Sequence, residues 1–143
     1  MLVSTKGRYA LRVLIDLAEN DNGEFIPLRD IAQRQQISEK YLESIIKILT
    51  NNGLLTGLRG KGGGYKLTKS PSSYTVGGIL RLTEGTIAPV ACLEGDSVKC
   101  ARSAECRTLP MWRELNHIVS QYLDSVTVAS LAKPQETKDN YVI

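Results

Sequence analysis

Apolar residues recur along this chain at two different periods. Leu28, Ile31 and Ala32 are spaced for one face of a helix. Tyr41, Leu42, Ile45, Ile46 and Leu49 repeat the helical period behind Ser38, a residue suited to cap a helix N-terminus. Gln35, Gln36 and Ile37 break the pattern between them, so the stretch predicts a helix-turn-helix. Asn51-Asn52-Gly53 then stops the second helix. Leu54 to Leu58 reads as a strand, Arg59-Gly60-Lys61-Gly62-Gly63-Gly64 as a turn, and Tyr65 to Thr68 as the returning strand, which together predict a wing.

The flanking patterns complete the picture. Ser4 or Thr5 can cap a first helix with Tyr9, Val13, Leu14, Leu17 and Ala18 on its apolar face, running to Asn22-Gly23. Glu24-Phe25-Ile26 is a short link suited to an edge strand beside the wing, and Pro27 can open the next helix. After the polar turn Ser70-Pro71-Ser72-Ser73, Thr75 caps a helix through Ile79, Leu80 and Leu82 to Gly85. No period is sustained from Thr86 to Cys106, a length beyond that of most structureless loops. From Thr108 the helical period returns, with Trp112, Leu115, Val119, Tyr122 and Val126 spaced 3, 4, 3, 4 as in the seam of a helix packed along another helix. One helix beyond a small winged domain has little of its own chain to cover Trp112 and Tyr122, so the seam is expected to make a homodimer. Thr127 caps a last short helix to Ala132, and Lys133 to Ile143 is a polar tail.

The expected fold is mainly α with a small β-hairpin. Residues 1–83 form a winged helix-turn-helix DNA-binding domain, 84–107 a cysteine-bearing loop, 108–132 a dimerisation helix region and 133–143 a tail.

An α-helix fits the major groove of duplex DNA, and in this motif the second helix enters it by its N-terminal residues. Those residues are Ser38, Glu39, Lys40, Tyr41 and Glu43. Arg59 and Lys61 stand at a hairpin tip whose glycines let the backbone approach a phosphate or a minor-groove wall. Glycines beside a lysine also suggest a phosphate-cradling loop. That motif needs glycine where Leu55 stands and a helix afterwards, and neither is present. A plain α-hairpin with a solvated charged face is the other reading of Leu28 to Leu49, and the wing argues against it.

Charge sharpens the division. Residues 1 to 83 carry 12 Lys+Arg against 7 Asp+Glu, and residues 84 to 143 carry 6 against 8, so a basic half precedes a slightly acidic one. No stretch approaches the ~20 apolar residues of a membrane span. The N-terminus lacks the apolar core of a signal peptide, so the protein is expected in the cytoplasm without membrane association. No His, Asp or Glu is placed beside a nucleophile as acid-base or covalent catalysis requires, so no enzyme is expected.

Cys92, Cys100 and Cys106 have seven and five residues between them in the aperiodic loop, with Lys99, Arg102 and Arg107 near enough to favour thiolate. The spacing is not that of a zinc finger. A metal or iron-sulfur site, redox-reactive thiols and inert cysteines all fit the pattern. His117, the single histidine, falls on the outer face of the last long helix.

The chain resembles the family of small winged-helix repressors that includes the iron-sulfur cluster regulator IscR, the nitric-oxide sensor NsrR and the cysteine-metabolism regulator CymR. The resemblance lies in Ser4-Thr5-Lys6-Gly7-Arg8-Tyr9-Ala10, in Ile37-Ser38 through Tyr41-Leu42-Glu43, in Asn52-Gly53-Leu54 and in Arg59-Gly60 through Gly63-Gly64-Tyr65. The three-cysteine loop followed by Trp112 resembles the cluster-binding branch. It implies a DNA-binding homodimer in which Cys92, Cys100 and Cys106 hold an iron-sulfur cluster, most often [2Fe-2S]. IscR-like members place a histidine ligand where this chain has Leu109, and NsrR-like members use an acidic residue where it has Arg8. The fourth ligand is therefore open among Glu94, Asp96, Glu105, His117, a partner residue and an exogenous group, and such a cluster is expected to be lost readily in air.

The function expected is a homodimeric repressor that senses cluster or redox status. A metal-free thiol-redox regulator and an interaction module that binds a metabolic enzyme are the alternatives.

Overall fold

The computed structural model describes residues 2–95 and 100–134. Helix α1 spans Thr5–Glu19 and is capped by the Ser4 side chain, which accepts from Gly7 N. It ends at Asn20, one turn short of the expected Asn22-Gly23, because Asn20 turns both its backbone and its side-chain N–H onto the carbonyl of Asp16. Helix α2 spans Leu28–Gln35, and Pro27 stands just before it as the cap residue, not as its first helical residue. Gln36 ends α2 in the left-handed region at φ 55°, which turns the chain into Ser38 and helix α3, Glu39–Asn51. Ser38 accepts from Tyr41 N at 3.2 Å.

Strands β1, Leu55–Leu58, and β2, Gly64–Leu67, pair antiparallel with Leu55 opposite Leu67. Ile26 adds a third edge by exchanging backbone hydrogen bonds of 2.9 and 2.8 Å with Tyr65. The approach requires glycine at position 64: its φ is +150°, and a Cβ there would lie 2.2 Å from the Ile26 carbonyl oxygen.

Helix α4, Val76–Glu84, is capped by Thr75 and stopped by Gly85. Helix α5 spans Leu109–Ser125 and helix α6 Val128–Leu131. The main core joins Ala10, Val13 and Leu14 of α1 to Ile31 of α2 and to Leu42, Ile45 and Leu49 of α3, and Val128 of α6 is fully buried within it. Each of these large side chains contributes about 1.5–3 kcal/mol by leaving water. A second cluster packs Val76, Leu80 and Ile87 against Leu123 and Val126. Gly77 lets α5 close onto α4, since a Cβ there would lie 2.0 Å from an Asp124 carboxylate oxygen that Arg81 binds at 2.7 Å.

The seam expected on α5 divides. Trp112, Val119 and Val126 are half-buried on the side toward their own chain, whereas Leu115 and Tyr122 are exposed. Met111 and Ile118, each 53% exposed, join Leu115 and Tyr122 on one stripe. Helix α5 packs on α4 through Leu123 and Val126. Among the described residues, no helix is long and apolar enough to cross a membrane.

Candidate functional site

The helix-turn-helix is held by a polar network that starts on α1. Asp16, 2% exposed, accepts from Arg34 Nη2 at 2.8 Å, from Arg34 Nε at 3.0 Å and from Gln35 Nε2 at 2.8 Å. Gln35 in turn accepts from Arg12 through both its side-chain and its backbone oxygen. The Arg12 guanidinium lies 4.8 Å from the centre of the Tyr9 ring, and Tyr9 meets Tyr41 edge-on at 5.9 Å. Asp16 raises the affinity of the Arg34 guanidinium for its proton, chiefly through the hydrogen bond between them. The network runs from α1 through α2 to the first turn of α3, and it fixes the direction in which α3 points.

On α3, Ser38, Glu39, Lys40 and Glu43 are exposed. Tyr41 is half-buried against the core and meets Tyr9 edge-on, because helical period carries position 41 toward α1. Ser44 and Lys47, which the sequence reading passed over, extend the exposed face. The signal for them was the same 3.6-residue period continued one turn beyond Glu43.

Arg59 and Lys61 stand exposed at the wing tip. A cleft of about 610 Å3 separates α3 from the wing, with Glu43, Lys47 and Asn51 on one wall and Gly57, Arg59 and Gly63 on the other. Of the expected contacts, Glu43 and Arg59 open on this concavity, and Lys61 lines a neighbouring cleft with Phe25 and Arg29. Lys66, the remaining wing cation, is half-buried with its ammonium 4.5 Å from the Phe25 ring centre.

Cys92 follows the first residue of a 3-10 turn over Ala91–Leu93 and is half-buried, Cys100 is exposed, and Cys106 is half-buried just before α5. All three are free thiols. The hydroxyl of Thr108, 3.4 Å from Cys106 Sγ, and the Thr108 backbone hold the Cys106 thiol below the ordinary range, with a smaller pull from Arg102. Three free thiols in one loop are the right donors for an iron-sulfur cluster. They are not gathered: among the described residues no three Cys, His, Asp or Glu side chains stand together as a metal site. The residues fit the group in chemistry, and the loop would have to close to bring them together. Leu109 is buried and apolar, Arg8 is an exposed cation, and Glu94, Glu105 and His117 are exposed. Asp96 and Lys99 lie outside the described residues.

Residues 3–134 match the model of the Rrf2 family, described as an iron-dependent transcriptional regulator. The chain is 36% identical over 139 residues to the HTH-type transcriptional regulator IscR of Escherichia coli, covering 97% of this chain and 85% of that relative. Its fold matches CymR, the global cysteine regulator of B. subtilis, with a TM-score of 0.76 and 37% identity over 92% of this chain and 96% of the other. It matches T. potens IscR with a TM-score of 0.70 and 31% identity, covering 99% and 97% of the two chains. These relatives are transcriptional regulators and not enzymes.

Proposed function

This chain belongs to the Rrf2 family of transcriptional regulators, and from that premise we propose that it is a cytoplasmic, homodimeric, DNA-binding repressor that senses iron-sulfur or thiol redox status through its cysteine loop. The observation that carries the DNA-binding part is the single cleft on which exposed Glu43 and Lys47 of α3 face Arg59 of the wing. In this reading Ser38, Glu39, Lys40, Tyr41 and Glu43 meet base edges while Arg59 and Lys61 hold phosphates or the minor groove. Met111, Leu115, Ile118 and Tyr122 meet the same stripe of a second copy, which sets the spacing of the two α3 helices on DNA.

Cys92, Cys100 and Cys106 are the residues that would hold a cluster, probed first as [2Fe-2S]. When bound, such a cluster supplies a group whose presence depends on iron and whose charge depends on redox state. The chain's own part is to connect α4 to α5 through the residues that carry the three thiols. A loop that closes on itself shortens that connection, and a shift of α5 is a shift of the partner's α3. Metal-free thiol sensing is the second reading, favoured by three free thiols of which Cys106 has the Thr108 hydroxyl 3.4 Å from its sulfur.

The test is a mobility-shift experiment with genomic fragments, on protein purified anaerobically and assayed for iron and sulfide. Selective retention of a few fragments by protein containing both elements supports the reading. Retention with no iron or sulfide leaves the thiol form, and no selective retention removes both.

A further inference from the structure

Tyr74 sits in the link between the wing and α4, where the sequence pattern gives it no role. It is 2% exposed, and its phenol reaches beneath the wing. The hydroxyl accepts from the backbone N–H of Thr68 at 3.0 Å and of Lys69 at 3.2 Å, and donates to the Leu54 carbonyl at 2.8 Å. A phenol has one proton to give and two lone pairs to fill, so this hydroxyl is saturated. Leu54 and Thr68 are the two feet of the hairpin, joined directly by a 3.4 Å bond from Thr68 N to the Leu54 carbonyl, and the Tyr74 oxygen ties them a second time. Thr68 adds a bond from its own hydroxyl to the Gly53 carbonyl at 2.7 Å.

The main chain of Tyr74 points its bonds elsewhere. Its carbonyl accepts from Val128 N at 2.9 Å, Thr75 pairs with Thr127, and Val76 N donates to the carbonyl of Val126 at 2.9 Å. Val126 is the C-cap of α5. Tyr74 therefore holds the base of the wing by its side chain and Val128 of α6 by its carbonyl, while Val76, two residues on, holds Val126 at the end of α5.

We propose that Tyr74 is a positioning residue that, with its neighbours Thr75 and Val76, couples the pose of the wing to the Val126–Val128 segment that closes α5, so that a displacement of α5 moves Arg59 and Lys61 relative to α3. The inference rests on the DNA-binding reading above for its consequence, and on the hydrogen bonds alone for its mechanics. A wing fixed only by its own two strands would be a marginal hairpin. The saturated hydroxyl makes it part of the body that carries α5 and α6.

The test uses the full chain with Tyr74→Phe, which keeps the ring and removes the hydroxyl. Amide hydrogen exchange is expected to quicken by about fivefold or more at Lys69, one hydrogen bond being worth about that factor, and by less at Thr68, which keeps its bond to the Leu54 carbonyl. Exchange at Val76 and Val128 rises with it, while Ile45 and Leu49 in α3 are unchanged, which reports an intact core. In DNA titrations Arg59→Ala lowers the salt slope by about one in the wild-type background and has no further effect beside Tyr74→Phe. Unchanged exchange at Thr68 and Lys69 overturns the proposal. So does loosening of the wing with Val76 and Val128 still protected, or an Arg59→Ala effect equal in the two backgrounds. If the wild type has no salt-dependent affinity for duplex DNA, the DNA-binding reading fails and the exchange pattern alone decides the role of Tyr74.

Discussion

Asp16 and Arg34 are joined by two parallel hydrogen bonds, 2.8 and 3.0 Å long, between a carboxylate whose side chain is 1% exposed and a guanidinium that is 38% exposed. The fork of Arg34 matches the carboxylate, and Gln35 satisfies Oδ2 a second time. Removing either partner has unequal consequences. Arg34→Ala leaves a buried carboxylate with only Gln35 and is expected to cost about 3 kcal/mol or more, whereas in Asp16→Asn the freed guanidinium turns to water and the cost is about 1–2 kcal/mol. Urea unfolding of the two variants measures the order, and a larger loss for Asp16→Asn would contradict it.

On the nucleic-acid side, the exposed residues divide into two sets. Arg59→Ala and Lys61→Ala are expected to weaken binding to every duplex and to lower the salt slope by roughly one for each lost phosphate contact. Changes at Glu39, Lys40 or Glu43 are expected to alter which sequence is preferred. Titrations against selected and random duplexes at several salt concentrations separate the two, and equal losses on both duplexes for both sets would refute the division.

Dimerisation is expected to depend more on the outward stripe of α5 than on Trp112. Ile118→Asp places a charge at a position 53% exposed in the single chain, so the monomer fold is kept while a buried apolar contact with a second copy is lost. Sedimentation at low micromolar concentration is expected to give monomer for this variant. A dimer that survives Ile118→Asp and dissociates with Trp112→Ala would place the interface on the other side of the helix.

The α4–α5 contact carries a pH signature. Arg81 holds the Asp124 carboxyl below the ordinary carboxylate range through their hydrogen bonds, so this contribution to stability is present above about pH 4 and is lost as the pH falls through the lowered folded-state value. Both side chains are over 40% exposed, which limits the gain to under about 1 kcal/mol and makes it sensitive to salt. Asp124→Asn is expected to lower the urea midpoint slightly near neutral pH and to match the wild type in strong acid. A difference that persists in acid would assign the effect to packing against Gly77.

In the cysteine loop, Cys106 is expected to reach half-maximal alkylation at a pH below that of an ordinary thiol, since Thr108 and Arg102 favour its thiolate. Mass spectrometry of iodoacetamide-treated apo protein over a pH series measures it. Thr108→Val is expected to move the midpoint upward, and an unchanged midpoint would remove Thr108 as the cause.

The helix-turn-helix and wing were legible because local signals agree with the packing. Ser38 caps α3, Asn52 and Gly53 end it, and the apolar positions of α1, α2 and α3 form one core. Which apolar positions of α5 its own chain half-buries was not legible. Trp112, Leu115, Val119 and Tyr122 satisfy a heptad on paper, yet a wide apolar arc serves both the contact with α4 and the free stripe, and only tertiary packing says where one ends. Asp16 and Tyr74 were missed for a related reason. Their partners Arg34, Leu54 and Val128 are far along the chain, and no period or motif links such pairs. The three cysteines were plain in the sequence, whereas their assembly depends on a loop path that no local signal encodes.

The central claim is that the cysteine loop governs a DNA-binding winged helix. It is tested most directly by titrating one selected genomic duplex, followed by fluorescence anisotropy, with anaerobically purified wild-type protein and with Cys92→Ala. The wild type is expected to prefer that duplex over random DNA by about a thousandfold or more, and the variant to shift that preference by at least about tenfold, or ~1.4 kcal/mol. Superimposable isotherms for the two proteins, or no preference for any duplex, would contradict it.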